Sequence, residues 1–212
     1  MNDKNQKLTL FILGNCDVGK TSFITKYVKN TFKEYYKPAI GIDCFSKIIK
    51  LETGEELNLF FYDTAGQERY KSISFNLIKN VDGIFLMYDV SEQRSFDEIN
   101  GWRESIKEVK GDNFPIILIG NKCDLKQRVI SKEEGEKFAK EQGFSFMETS
   151  CKEGIKVEES VNILIDDIMK RRKAAKLKNI EGDNDFRDRN TIRLSNKSNN
   201  KKKEKKKNCC KN

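Results

Sequence analysis

Eight residues constrain this chain more than any others: Gly14 to Thr21, which read Gly-Asn-Cys-Asp-Val-Gly-Lys-Thr. They match Gly-x-x-x-x-Gly-Lys-[Ser/Thr], a loop whose backbone N–H groups converge on a polyphosphate while a helix dipole and a lysine ammonium, here Lys20, add favourable charge. The hydroxyl of Thr21 would then be offered to Mg2+. Such a pattern arises by chance, so it carries weight only between a strand and a helix. Both flanks qualify. Leu8 to Leu13 is a short, nearly continuous apolar run, as expected of a strand buried on both faces. Phe23 with Tyr27 and Ile24 with Val28 repeat at helical spacing. The bland alternative is a strand, turn and helix that happens to be rich in glycine.

The rest of the chain continues this alternation. Residues 1–7 are polar and read as a frayed start. The first helix ends near Asn30, and a polar, aromatic connection from Thr31 to Gly41 leads to a hairpin of Phe45–Leu51 and Leu57–Tyr62 around the turn Glu52-Thr53-Gly54-Glu55. Gly83–Val90, Pro115–Gly120 and Phe144–Thr149 are further strands. Phe96, Ile99, Trp102, Ile106 and Val109 repeat at helical spacing. Ser131-Lys132-Glu133-Glu134 is a capping box for a helix stopping near Gly143. Val161, Leu164, Ile165, Ile168 and Met169 form the apolar face of a last helix. This order predicts an α/β fold in three layers: a mostly parallel sheet of about six strands, one antiparallel hairpin strand, and helices on both faces.

Charge separates this domain from the C-terminal tail. Residues 170–212 carry 17 Lys and Arg against 5 Asp and Glu, leaving 24 against 28 for residues 1–169, so a tail at +12 is attached to a domain at −4. A mildly acidic domain argues against a nucleic-acid-binding globule. The tail, residues 171–212, has too little apolar surface to offset the entropy of ordering and reads as a disordered tether. The chain contains no histidine, which removes His-based general base catalysis and most zinc chemistry. Its six cysteines, without paired metal-ligand spacing, fit a reducing compartment. No signal-peptide stretch and no run of about 18 apolar residues occurs, so a membrane would have to be met through an attached anchor.

Two further motifs sit where strands end, which in open α/β sheets is where ligands bind. Asp63-Thr64-Ala65-Gly66-Gln67-Glu68 follows the second hairpin strand, and Asn121-Lys122-Cys123-Asp124 follows a buried one. The Asp124 carboxylate can accept two hydrogen bonds from the N1–H and exocyclic amine of guanine, a donor pair adenine lacks on that edge. The wrong base would leave the carboxylate unpaired. Ser150-Cys151-Lys152, after the last strand, could add backbone N–H groups at the guanine O6. An ordinary polar turn at residues 121–124 and an adenine-nucleotide ATPase are the competing readings, the latter disfavoured by Asp124.

Together these motifs resemble the small GTPases of the Ras superfamily, and most closely the Rab branch, over about residues 8–170. Ile40-Gly41-Ile42-Asp43 resembles the Rab effector segment, extended here by Cys44 and Phe45, and Tyr88-Asp89-Val90 also fits. The resemblance implies a switch that binds GTP or GDP with Mg2+, hydrolyses GTP slowly and recruits effectors in vesicle traffic. It implies phosphate contacts from Asn15, Cys16, Asp17, Val18, Gly19, Lys20, Thr21 and Ser22, with Thr21 and Asp63 holding the metal. Ala39 and Gly66 would approach the γ-phosphate, Gln67 would orient the attacking water beside Lys20, and Asn121, Lys122, Asp124, Ser150, Cys151 and Lys152 would hold the base. The implied partners are an exchange factor, a GTPase-activating protein, a GDP-dissociation inhibitor, an escort and prenyl transferase, and effectors, acting on a monomer.

The chain departs from that family in places. Ala39 stands where a metal-binding threonine is usual, and Asp17 where a glycine or small residue is usual. The first loses a ligand; the second puts a carboxylate near the phosphates, or simply points into solvent. A GTP-binding scaffold with little hydrolysis is therefore the alternative. Cys44, Tyr62, Leu77 and Ile78 replace residues that shape effector surfaces, or are core substitutions of similar polarity. In the tail, the run Lys201 to Lys207, broken by Glu204, precedes Cys209-Cys210 near the end. A lysine run can be a solvated segment or a nuclear signal. The paired cysteines resemble Rab double prenylation sites, which implies attachment to the cytoplasmic face of a membrane and cycling with the cytosol.

Overall fold

The apolar runs of the sequence form six strands of one mixed sheet, in the order β2-β3-β1-β4-β5-β6. The computed structural model describes residues 6–32, 42–64 and 77–177. The strands are β1 (Gln6–Leu13), β2 (Ile42–Lys50), β3 (Glu56–Thr64), β4 (Gly83–Asp89), β5 (Ile116–Asn121) and β6 (Ser145–Thr149). Among the described strands only β2 runs antiparallel, against β3; the other pairs are parallel. The helices are α1 (Lys20–Lys29), α2 (Gln93–Asp97), α3 (Ile99–Lys110), α4 (Lys132–Gln142) and α5 (residues 157–177). The chain divides into Met1–Ile168, which holds the sheet, and Met169–Asn212, of which residues 169–177 are described and helical.

Side-chain alternation along the buried strands gives the sheet two apolar faces. Phe11, Leu13, Leu86 and Leu118 cluster with Ile99 and Ile106 of α3 and Ala139 of α4. On the other face Phe85 meets Phe23 of α1, with ring centroids 5.2 Å apart, and Phe61 meets Tyr27 at 5.4 Å. A Cβ on Gly83 would fall 2.7 Å from Ile168 Cδ1, so α5 packs here too. These are the three layers the alternation predicts.

The turn and cap signals hold in detail. The Ser131 hydroxyl accepts from the Glu134 N–H at 3.1 Å to open α4, and Gly143 closes it in the left-handed region at φ 71. Asn30 closes α1 at φ 53. The hairpin turn is tied by Leu51 N to Glu55 O at 2.9 Å.

Most strand ends shift by one or two residues from expectation, and four boundary differences have a clear physical cause. Gln6 and Lys7 are strand residues, because parallel pairing with Leu57 and Asn58 uses their backbone whatever their side chains. For the same reason β2 begins at Ile42: pairing extends until Asp43 opposes Asp63 and Ile42 opposes Thr64. The helix after residue 157 continues past 170 to at least 177, through residues of high helix propensity. The helical repeat from Phe96 to Val109 is broken at Glu98. Ser95 is fully buried and its hydroxyl accepts from the Asp89 N–H at 3.0 Å, a polar tie between α2 and the end of β4 that apolar periodicity does not register. The expected disordered tether falls, from residue 178 onward, outside the described residues.

One packing detail governs the end of β4. Gly135 sits inside α4, where glycine costs about 1 kcal/mol relative to alanine. A Cβ there would lie 2.3 Å from Tyr88 Oη and 2.8 Å from the Phe146 ring, so the fully buried tyrosine occupies the space. Gly135→Ala is therefore expected to lower unfolding free energy by about 2 kcal/mol despite its better propensity. Adding Tyr88→Phe, which removes the colliding oxygen, should restore part of the loss in urea denaturation.

Candidate functional site

Between β1 and α1 the chain passes too close to β4 for any side chain at its first position. A Cβ on Gly14, at φ 145, would fall 2.2 Å from the Met87 carbonyl oxygen. At the far end Gly19, at φ 99, lies against Asn121, whose Nδ2 would be 2.4 Å from an added Cβ. The two glycines of the motif are thus required by neighbouring strands. Asp17 adopts the left-handed region at φ 59. Gly19 is the N-cap of α1, with no side-chain cap and no acidic residue in the first turn, so no local carboxylate occupies a helix start suited to an anion.

Lys20 is almost fully buried, at 5% exposure. Its ammonium donates to the carbonyls of Gly14, at 2.8 Å, and Asn15, arching over the loop. Val18 is buried, Ser22 half-buried, and Cys16 and Asp17 are exposed. Thr21 donates its hydroxyl to Asp63 Oδ2 at the carboxyl end of β3. Asp63 is fully buried, and its Oδ1 has no hydrogen-bond partner among the described residues. Burial pushes its carboxyl up to about 6, against the opposing effects of the Thr21 hydrogen bond and the Lys20 charge, with Asp43 adding to the rise. A buried carboxylate with one oxygen open, beside a hydroxyl, fits a divalent cation, whose charge would relieve that cost.

A second loop leaves β5 along the same rim. Asn121, 1% exposed, donates from Nδ2 to the Val18 carbonyl at 2.8 Å. Its Oδ1 accepts from the Thr149 hydroxyl at 3.1 Å and from the Cys151 thiol at 3.3 Å. Burial pushes that thiol up to about 12, so it stays protonated and can donate. Lys122, at φ 65, pairs its ammonium with Asp89 Oδ2 at 2.6 Å, while Asp89 Oδ1 accepts from the Ser91 N–H at 2.8 Å. Asp124 is half-buried in the turn beyond. The Cys123 N–H donates to the Thr149 carbonyl at 3.1 Å, which brings the loop after β5 to the end of β6. Ser150 and Ile155 form a two-bond bridge that shapes the last loop, leaving Cys151 buried and Lys152 exposed.

The loop after β1, Asp63 at the end of β3, and the loops after β5 and β6 therefore meet at one rim of the sheet. Asp43 and Cys44 are exposed on edge strand β2, and Phe45 is half-buried with Lys29 Nζ 5.6 Å from its ring centroid. Ile42 belongs to β2 by its backbone. Ala39, Ile40, Gly41, Gly66, Gln67, Cys209 and Cys210 lie outside the described residues. Sequence reasoning gave no site role to three contributors: Asp89, Thr149 and Trp102, whose indole N–H donates to Asn15 Oδ1 at 3.3 Å. The position of Asp89 at the end of a buried strand could have flagged it; helical spacing marks Trp102 only as apolar.

Known proteins share this arrangement of sequence. The Ras family pattern matches residues 9–170. Ras-related protein RabZ of Dictyostelium discoideum is 38% identical over 169 residues, covering 79% of this chain and 73% of the relative. Ras-related protein Rab-13 of Bos taurus is 37% identical over 171 residues, 80% of this chain and 84% of the relative. GTP-binding protein Rab-3D of Rattus norvegicus is 40% identical over 158 residues, 74% and 72%. With loop geometry and likeness both extending across the domain, the chain belongs to the Rab branch of the Ras family and is a small GTPase.

Proposed function

We propose that this GTPase is a magnesium-dependent switch that hydrolyses GTP slowly, recruits effectors through β2 and its flanking segments, and acts at the cytoplasmic face of a membrane in vesicle traffic. The observation that carries the reading is the Asn121 hydrogen bond to the Val18 carbonyl at 2.8 Å, which joins a loop suited to phosphates to a loop suited to a guanine base. On this reading Lys20 exchanges the Gly14 and Asn15 carbonyls for β- and γ-phosphate oxygens when nucleotide enters. Thr21 and Asp63 would hold the metal, which would supply charge neutralisation for the phosphates. Gln67 orients a water for in-line attack on the γ-phosphorus. As the new P–O bond forms, the bond to the β-phosphate oxygen breaks, and the water's proton leaves with the phosphate. The segments around residues 36–45 and 66–78 then lose their γ-phosphate contacts, which is the switch.

Nucleotide competition tests the base. The wild-type chain should hold GDP at micromolar or tighter affinity in magnesium buffer, prefer it to ADP, and release it faster on chelation of the metal. Asp124→Asn should weaken GDP by about 100-fold, the cost of a lost charged double hydrogen bond. Equal affinity for guanine and adenine nucleotides in the wild-type chain would reject the reading.

Asp17 and Ala39 favour a second reading, a GTP-binding scaffold with little turnover. Asp17 is exposed at φ 59, a conformation glycine adopts freely, and its charge would repel the phosphates. Asp17→Gly should slow GDP release severalfold, and Ala39→Thr should accelerate single-turnover GTP hydrolysis. Unchanged rates in both variants would remove any functional weight from these departures.

The tail completes the proposal. Two prenyl chains on Cys209 and Cys210 give stable anchoring where one is marginal, and each nearby lysine adds about 1 kcal/mol at an anionic surface. No helix among the described residues is long and apolar enough to cross a membrane. A fluorescently tagged chain should move from membranes to the cytosol when both cysteines become serine; retention on membranes would reject the lipid anchor.

A further inference from the structure

Helix α3 reaches the phosphate-binding loop through the side chain of Trp102. Trp102 is the only tryptophan in the sequence, and its ring is half-buried against the core cluster that contains Ile99 and Ile106. Its indole N–H donates to Asn15 Oδ1 at 3.3 Å, across 87 residues of chain. An indole can only donate, so the contact also fixes which end of the carboxamide faces α3. Asn15 is 6% exposed, whereas the next two residues, Cys16 and Asp17, are exposed and Asp17 sits at φ 59. The loop is therefore held at its entry by the Asn15 amide against α3 and at its exit by the Val18 carbonyl against the Asn121 amide. Lys20 also holds the Asn15 carbonyl. An ammonium drawn to phosphate oxygens cannot serve that carbonyl at full strength, which shifts the hold on the entry toward Trp102.

We infer that Trp102 is a positioning residue for the phosphate-binding loop: through the Asn15 side chain it sets the direction of the backbone N–H groups that face the phosphates, and so governs how long nucleotide stays bound. It acts through Asn15 and not through the ligand. Because the chain holds one tryptophan, the same contact makes its fluorescence a reporter of the state of the loop.

The inference rests on the guanine-nucleotide reading, and the experiment separates the two. Release of fluorescently labelled GDP is timed in magnesium buffer from the full chain, Trp102→Phe, Asn15→Ala and the double variant. Phenylalanine keeps an aromatic ring against the core and lacks the N–H. Each single variant should release GDP about fivefold faster, the range of one hydrogen bond, and the double variant no faster than either. Ile106→Val trims the buried face of the same helix; it should lower the thermal midpoint yet leave release within about twofold of wild type. In the wild-type chain tryptophan fluorescence should shift as unlabelled GDP leaves, and Asn15→Ala should remove most of that shift. Release from Trp102→Phe within about twofold of wild type, or effects that multiply in the double variant, overturns the inference and leaves the proposed function standing. A wild-type chain that retains no GDP overturns both.

Discussion

The Asn121 carboxamide is the joint on which the functional end of the molecule depends. One amide satisfies the Val18 carbonyl in the phosphate-binding loop and receives both the Thr149 hydroxyl and the Cys151 thiol from the end of β6. At 1% exposure it makes these bonds away from water, where each lost partner would leave a buried polar atom unpaired. The joint explains Gly19 as well, since a Cβ there would strike the Asn121 nitrogen at 2.4 Å. A single side chain thus bonds to three loops from three parts of the sequence, and the Cys123 N–H to the Thr149 carbonyl adds a second tie between two of them.

Around that joint the chain carries several local costs together. Caps, turns and strand pairing agree with local sequence through most of the domain, as in the Ser131 cap and the Leu51–Glu55 turn. At the rim, Asp17 and Lys122 occupy the left-handed region, and Asp63 is buried with an open oxygen and a raised carboxyl. Departures of this kind concentrate where a ligand is to be held, because the surrounding structure over-determines the geometry. Asn121 and Asp63 differ in kind: the first ties loops together, and the second keeps an open buried oxygen that, on the proposed reading, suits a cation.

The edge strand carries a different constraint. Among the described residues β2 pairs on one side only, with β3, and from Cys44 to Lys50 its side chains alternate between exposed and half-buried. Such an edge offers backbone groups to any passing strand, and Lys47 and Lys50 guard it with charge. Lys47 also donates to the Tyr27 carbonyl at 2.8 Å and lies 4.0 Å from the Tyr27 ring centroid, which ties the edge to α1. Asp43 and Cys44, toward the rim end of β2, remain exposed.

The alternation of apolar runs with helical repeats determined the six-stranded sheet and its layers, and the three motifs at strand ends determined which loops meet, because both follow from local chemistry and a small set of connection rules. Strand limits such as Gln6 and Ile42 were not legible, since backbone pairing with β3 is indifferent to side-chain polarity. The break at Glu98 was hidden for a related reason: it accompanies a buried serine bond, while periodicity reports only apolar faces. Lys122 with Asp89, Asn121 with Val18, and Trp102 with Asn15 are joined across 33, 103 and 87 positions. Residue types and spacing marked the atoms that could grip a nucleotide. Only the packing of strands and helices decided which side chains hold those atoms in place, because a hydrogen bond between distant segments depends on where the sheet brings their backbones and leaves no period in the sequence.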